Sequence, residues 1–405
     1  MMIKKRLLPV AATLFLVSVC LHAAGQTTYQ GLFGQGKLNT ITTAVPFLMI
    51  APDARAGAMG DAGVASSPDA FSQHWNPAKY AFIENQMGFS VSYSPWMKRL
   101  VDDIDLGYLT FYYRLNNDRD AISASLLFFS LGEIQFTNDI GQNIGSFAPS
   151  EYAIDVAYSS KLTDRLSGAI AFRYIYSNLT GNRFVGGMQS NAGQSVAGDV
   201  AAYYRLPFNM NGQASVFSAG LNISNIGAKV SYTETVAKDF IPTNMRLGFG
   251  FETQLDQYNS LGFMIDFNKL LVPTPPEYKF NDSTGLPEVD PQGNYIIARG
   301  RSNDVGVVNG IFQSFVDAPG GFVEELREVS LAIGAEYWYD KQFAFRAGYF
   351  YEHVTKGNRK YFTLGVGLKL NVFGLDFSYL IPTGQRNPLE NTLRFSLMFD
   401  FEALR

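Results

Sequence analysis

Only three histidines and one cysteine are available for nucleophilic or metal chemistry in these 405 residues. Cys20 and His22 fall in the opening apolar stretch, and His74 and His353 stand far apart. Neither has a serine or carboxylate at a spacing that suggests a nucleophile with its base. His74, next to Trp75, reads as a packed side chain rather than a ligand. Asp102, Asp103 and Asp105 could offer oxygens to a cation, but their setting between two apolar runs is that of a solvated turn. Gly31, Gly34 and Gly36 imitate part of a dinucleotide loop without the strand before and helix after that a phosphate site needs. A surface enzyme is therefore set aside, and neither cofactor nor metal is expected.

What remains is a question of what the chain is built to sit in. Lys4, Lys5 and Arg6 precede an apolar run from Leu7 to Leu21, and the small residues Ala23, Ala24 and Gly25 follow. That pattern predicts a cleavable secretory signal over residues 1–25, its apolar core too short to span a bilayer. Cys20 then belongs to the discarded leader; Val19 before it is too bulky for a lipoprotein acceptor site. Without it no cysteine is left to form a disulfide or bind a metal. Charge is slightly acidic, with 32 basic against 36 acidic residues and no basic cluster, so nucleic acid is excluded as a partner. Aromatic residues reach 14% while charged residues stop at 17%, below the roughly 25% of soluble domains. Yet no long apolar run follows the leader. A transmembrane strand reconciles these facts, because only every second residue of it must be apolar.

The alternation is plain in the sequence. Tyr152, Ile154, Val156 and Tyr158 interleave with Glu151, Ala153, Asp155, Ala157 and Ser159. Leu393, Phe395, Leu397, Phe399 and Phe401 interleave in the same way with Arg394, Ser396, Met398 and Asp400. About fourteen such segments run from 87–94 to 391–401, an even number that lets a closed antiparallel barrel return to its starting side. A soluble sandwich would alternate too, but here the connections differ by parity. Those after even strands are short, such as Leu115–Arg119, Leu162–Asp164, Pro207–Gln213 and the turn at Asn371, whereas those after odd strands are long. The fold expected is thus an all-β outer-membrane barrel over residues 87–401, with lipid against its apolar face. Charge on that face would cost about 2–4 kcal/mol at the bilayer midplane. So Asp155, Arg173, Asp199, Arg205, Arg246, Glu252, Asp266, Glu336, Arg346, Glu352, Asp376 and Arg394 should point inward.

Two stretches lie outside the strand pattern. The connection over 270–327, expected to be extracellular, opens with Pro273-Thr274-Pro275-Pro276 and then carries Val305, Val308, Ile311, Phe312 and Phe315 at helical spacing. That spacing fits a helix folded over the barrel mouth, a partner-binding surface, or both. The other stretch, 26–86, is rich in small residues and includes Pro52-Asp53-Ala54-Arg55-Ala56-Gly57-Ala58-Met59-Gly60-Asp61-Ala62-Gly63, then Trp75-Asn76-Pro77-Ala78. Small residues let backbones approach closely, which suits a plug inside the barrel.

Asn76-Pro77-Ala78 after a glycine-rich stretch, followed by an even set of strands, resembles the long-chain fatty-acid transporter superfamily of plugged fourteen-stranded barrels. The longer run, with Arg55, Gly57, Gly60, Asp61 and Gly63, resembles more particularly the outer-membrane shuttle family of the type IX secretion system of Bacteroidetes. This second resemblance implies a protein without catalysis that binds the C-terminal signal domains of secreted cargo at the translocon barrel and hands them to a sortase-like attachment protein. The first leaves open a transporter of hydrophobic small molecules. Strand periodicity cannot choose between the two.

Overall fold

The computed structural model describes residues 38–401 except 99–100, 138–139, 182–183, 186–187, 234–237, 282–285 and 385–386. The expected leader over 1–25, with Cys20 and His22, and the glycines Gly31, Gly34 and Gly36 lie outside the described residues.

Fourteen antiparallel strands close into one barrel. In chain order they are β1 Met87–Pro95, β2 Ile104–Arg114, β3 Asp120–Leu131, β4 Ser150–Lys161, β5 Leu166–Asn178, β6 Gly193–Met210 and β7 Gln213–Gly227. The second half comprises β8 Asn244–Gln254, β9 Asn259–Leu270, β10 Ser330–Tyr339, β11 Phe343–Tyr351, β12 Lys360–Leu370, β13 Phe373–Pro382 and β14 Leu393–Phe401. Each strand pairs with its sequence neighbours, and β1 closes on β14 with Met87 opposite Phe401 and Val91 opposite Leu397. Closure matters because lipid offers no hydrogen bonds, so every mid-membrane backbone group must find its partner across a strand pair.

Side chains follow the pleat. Phe111, Ile154, Val156, Phe172, Phe263, Phe345 and Leu397 are exposed on the outer wall. Of the twelve charges assigned inward, nine are buried, and Arg205, Glu252 and Glu352 are half-buried. Rings cluster towards both rims of the outer wall. Phe89 stacks on Phe399 at 4.8 Å near one end, and Tyr152 on Tyr176 at 5.0 Å near the other. Such girdles place amphipathic rings at the two membrane interfaces. This wall, with no helix long and apolar enough to cross a bilayer among the described residues, makes strands the membrane-crossing element.

One pair of boundaries departs from the sequence reading. Residues Pro207–Gln213 were expected as a connection, but β6 and β7 continue to Met210 and Gln213, with Pro207 opposite Val216. The turn is only Asn211-Gly212, both with positive φ (52° and 83°), the geometry of a two-residue type I′ hairpin that Asn-Gly favours. Among the described residues the long connections contain three small hairpins, Ile134–Thr137 with Asn143–Phe147, Phe184–Val185 with Met188–Gln189, and Glu277–Tyr278 with Ile297–Arg299.

The facing gives a direct test. Leu397 lies mid-strand on the outer wall and Ser260 on the inner wall beside a cavity. Leu397→Arg should cost about 2–4 kcal/mol of barrel stability and Ser260→Arg under about 1 kcal/mol. Urea midpoints of the reconstituted barrels check this; equal midpoints would reverse the assignment of faces.

Candidate functional site

The lumen is occupied by the chain's own residues. From Ala44 to Ile83 nearly every residue is buried, and short helices alternate with turns: a 3₁₀ turn Pro46–Met49, α1 Ala54–Ala58, α2 Ser72–Trp75 and a 3₁₀ helix Pro77–Phe82. α1 packs on β11 to β14, and the Pro77–Phe82 turn on β2 to β6, so the segment bridges opposite parts of the wall. Its local structure is set by caps. The Asp53 carboxylate accepts from Ala56 N at 2.8 Å, starting α1, and from Trp75 Nε1 at 2.6 Å. Asn76 caps the following turn by accepting from Ala78 N at 3.0 Å, and Pro77 takes the first helical position, where its missing N–H leaves nothing unpaired.

The motif residues are brought together here, and each meets the wall or a neighbour. Arg55 donates through Nε and Nη2 to both oxygens of Glu336, at 3.0 and 2.8 Å, and through Nη1 to Asp69 at 2.9 Å. Glu336 also receives Arg346 Nε at 2.7 Å, and Arg346 Nη1 reaches Asp376 at 2.6 Å. A chain of alternating charge thus runs from the inner segment into β10, β11 and β13, where each member offsets the desolvation of its neighbours. Gly57 leaves room for Arg394, whose guanidinium would otherwise be 2.6 Å from a Cβ there. Arg394 also lies 3.6 Å from Asp61. At Gly60 φ is +69°, and its backbone lies against the backbone of Tyr349 with Gly348 directly opposite. Thr363 Oγ1 receives Gly60 N and donates to Ala58 O, both at 2.8 Å. Gly63 accommodates the Trp75 ring, and its N–H and that of Val64 donate to Asp266 at 2.7 and 2.9 Å.

The second motif is held as firmly. Asn76 Nδ2 donates to Ala202 O at 2.9 Å, Asn222 Nδ2 donates to Trp75 O at 2.9 Å, and Ser167 Oγ donates to Ala78 O at 2.7 Å. Lys79, fully buried, donates to Gly63 O at 2.9 Å and Ser66 Oγ at 3.0 Å. Lys79 and Asp53 carry as much of the arrangement as the motif residues, but nothing in their spacing marks them. His74 is buried edge-on to Trp75 and Tyr108 with Arg246 beside it. Burial, reinforced by Arg246 and Arg173, holds its pKa well below the ordinary histidine range. His353 is a half-buried loop residue bonded to Thr355. Asp103 accepts Glu133 N at 2.8 Å and Asp105 accepts the Tyr93 hydroxyl at 2.6 Å, so both brace loop and rim. Among the described residues no three metal-type ligands converge.

Between the inner segment and the end of the barrel that bears the short turns lies a cavity of about 440 Å³, lined by Arg205, Glu252, Trp338 and Lys341 among others. The opposite end carries the long connection. There the helix expected from Val305, Val308, Ile311, Phe312 and Phe315 exists as α3 Val307–Gln313, followed by α4 Phe322–Arg327. Its orientation differs from a lid folded on its apolar side. Gly310 is the buried position, packed on Phe240 and Pro273; Val305 and Ile311 are half-buried, while Val308, Phe312 and Phe315 face out.

A closed barrel with an apolar outer wall, rim girdles and an occupied lumen is an outer-membrane β-barrel protein. Within that class the sequence places it further: the family model described as "Type IX secretion system protein PorV" matches residues 33–277, more than half of the chain. The chain belongs to the PorV family and is a component of the type IX secretion system. Among solved structures it is similar to the toluene transporter TbuX of Ralstonia pickettii, with 13% identity and a TM-score of 0.45 over 87% of this chain and 98% of that one. It is likewise similar to the toluene transporter TodX of Pseudomonas putida, with 12% identity and a TM-score of 0.46 over 90% and 98% of the two chains. For the monoaromatic hydrocarbon channel CymD the identity is 11% and the TM-score 0.48, over 90% and 100%. Comparison with curated proteins finds no match.

Proposed function

We propose that this barrel is a non-enzymatic docking component that takes the C-terminal signal domain of a secreted protein at the translocon barrel and carries it to a sortase-like attachment protein. The observation that carries the reading is membership of the PorV family over residues 33–277. The short turns then face the periplasm and the long connections the cell exterior, the usual arrangement in outer-membrane barrels. Of the segment over 26–86, the described residues Ala44–Ile83 serve as the plug; a leader over 1–25 and an extracellular place for the connection over 270–327 complete this reading. Capture belongs to the outer connections, because the wall is committed to lipid and the lumen to the inner segment.

Uptake of hydrophobic molecules is the competing reading. It requires a free apolar route through the lumen, whereas the apolar inner-wall residues Leu106, Leu127, Phe129 and Ile175 pack in one core with the inner segment's Phe47, Phe71 and Tyr80, beside Asp155, Arg173 and Asp199. Deleting the gene should leave cargo proteins in the periplasm with their signal domains uncleaved, while permeability to small solutes stays normal. A deletion strain that processes cargo normally yet fails to grow on a hydrophobic nutrient would replace this reading with the transporter.

A further inference from the structure

The outward side of α3 and α4 is unlike a solvated loop. Val308, Phe312, Phe315, Phe322 and Leu326 are all well exposed, Phe322 to 75%. A soluble surface seldom gathers so much contiguous apolar area without a use for it. The acidic side of α4 is committed to the barrel rim. Lys269, at the top of β9, donates to Glu325 at 2.9 Å and Glu328 at 2.7 Å. Lys356 donates to Glu324 at 2.6 Å and Glu328 at 2.9 Å, and Glu325 also accepts the N–H groups of Asp317 and Ala318. α4 is therefore held with Phe322 and Leu326 outward, and α3 is seated by Gly310 against Phe240 and Pro273.

What covers that side is indicated by where it leads. Phe315, Phe322, Leu326 and Val329 form one groove of about 250 Å³ with Met245, Leu247 and Phe267. Leu247 and Phe267 belong to the exposed outer wall, the surface that lipid covers. Phe315 and α4 thus extend the lipid-facing belt upward along a join that is almost wholly apolar, and Phe312, three positions before Phe315, is exposed at the end of α3. A protein partner would need a polar rim around such a patch, whereas acyl chains need none.

We propose that α3 and α4 form a membrane-seated foot: in the free barrel, Phe312, Phe315, Phe322 and Leu326 rest among the acyl chains of the outer leaflet and hold the outer connection at the bilayer surface. This goes beyond the docking role and does not depend on it, since the test uses the purified barrel alone in lipid. Single cysteines are introduced at Phe322 and Phe312, spin-labelled and reconstituted in phosphatidylcholine bilayers. Labels at both positions should collide freely with oxygen, which concentrates in acyl chains, and be shielded from a water-soluble nickel chelate. Both readings should match a Phe395→Cys reference on the outer wall to within about twofold. A Ser302→Cys label provides the water-exposed reference. Ready collision with the chelate would show a foot standing in water, and shielding from both reagents would show a protein surface covering it; either result overturns the proposal.

Discussion

Glu336→Ala should destabilise the barrel by about 3–5 kcal/mol, the usual consequence of removing one partner from a buried ion-pair chain. Glu336 accepts from Arg55 and Arg346 together, so its loss leaves two guanidinium groups facing each other in the lumen without the carboxylate between them. Asp69 and Asp376 remain, each bound to only one of the two cations. The double variant Arg55→Met with Glu336→Met removes both members of the contact and returns Arg346 to Asp376 alone but leaves Asp69 without its cation, so it should recover part of the loss. Urea midpoints of the wild-type, single and double variants measure this. If the double variant were as unstable as the single one, the chain of charges would not be what holds the inner segment to the wall.

Gly348→Val should expel the segment without opening the barrel. A Cβ at Gly348 would fall on Gly60 N and the carbonyl carbon of Met59, backbone against backbone, where no flexible side chain can yield. Overpacking of this kind costs about 3 kcal/mol or more when neither side can relax. Displacing Met59 and Gly60 breaks the two bonds to Thr363 and the contact of Asp61 with the Tyr361 hydroxyl. The β11 ladders to β10 and β12 use backbone groups and survive. Trypsin should then cut after Arg55 in assembled barrels, at least tenfold faster than in the wild type. Gly107→Val, in β2 with open space around its Cβ, should change nothing. Equal protection of Arg55 in both variants would show that Gly348 is not the contact that seats the segment.

The wall was legible because lipid imposes a single demand on it. From Tyr152 to Tyr158 one face must be apolar at every step, and that repeats until the strand leaves the membrane. At β6 and β7 the reading stopped short because Asn211-Gly212, a strong hairpin signal, was absorbed into a longer polar connection around Pro207 and Asn209. The inward charges were also legible as inward, but their partners were not. Arg55 and Glu336 stand 281 positions apart, and only strand register and the path of the inner segment bring them together. Ser396 makes the same point. By alternation it faces the lumen, which suggests water; in fact it is fully buried, with Ala54 N donating to it at 2.8 Å. For α3, the periodicity gave the helix but not its facing. The face that packs is the one with room for Phe240, and that is Gly310 rather than the apolar stripe.

The bridging position of the inner segment bears on how the barrel is made. The residues that hold α1 come mostly from strands synthesised last: Thr363, Arg394 and Ser396 lie on β12 and β14, some three hundred positions after the segment itself. The turn at Pro77–Phe82 is held instead by early strands, through Ser167 and Ala202 on β5 and β6. Chain entropy opposes bringing such distant residues together, and in ordinary folding it sets the pace. In the finished barrel the segment ties the first strands to the last from inside, so the seam between β1 and β14 is spanned by luminal contacts as well as by its own ladder.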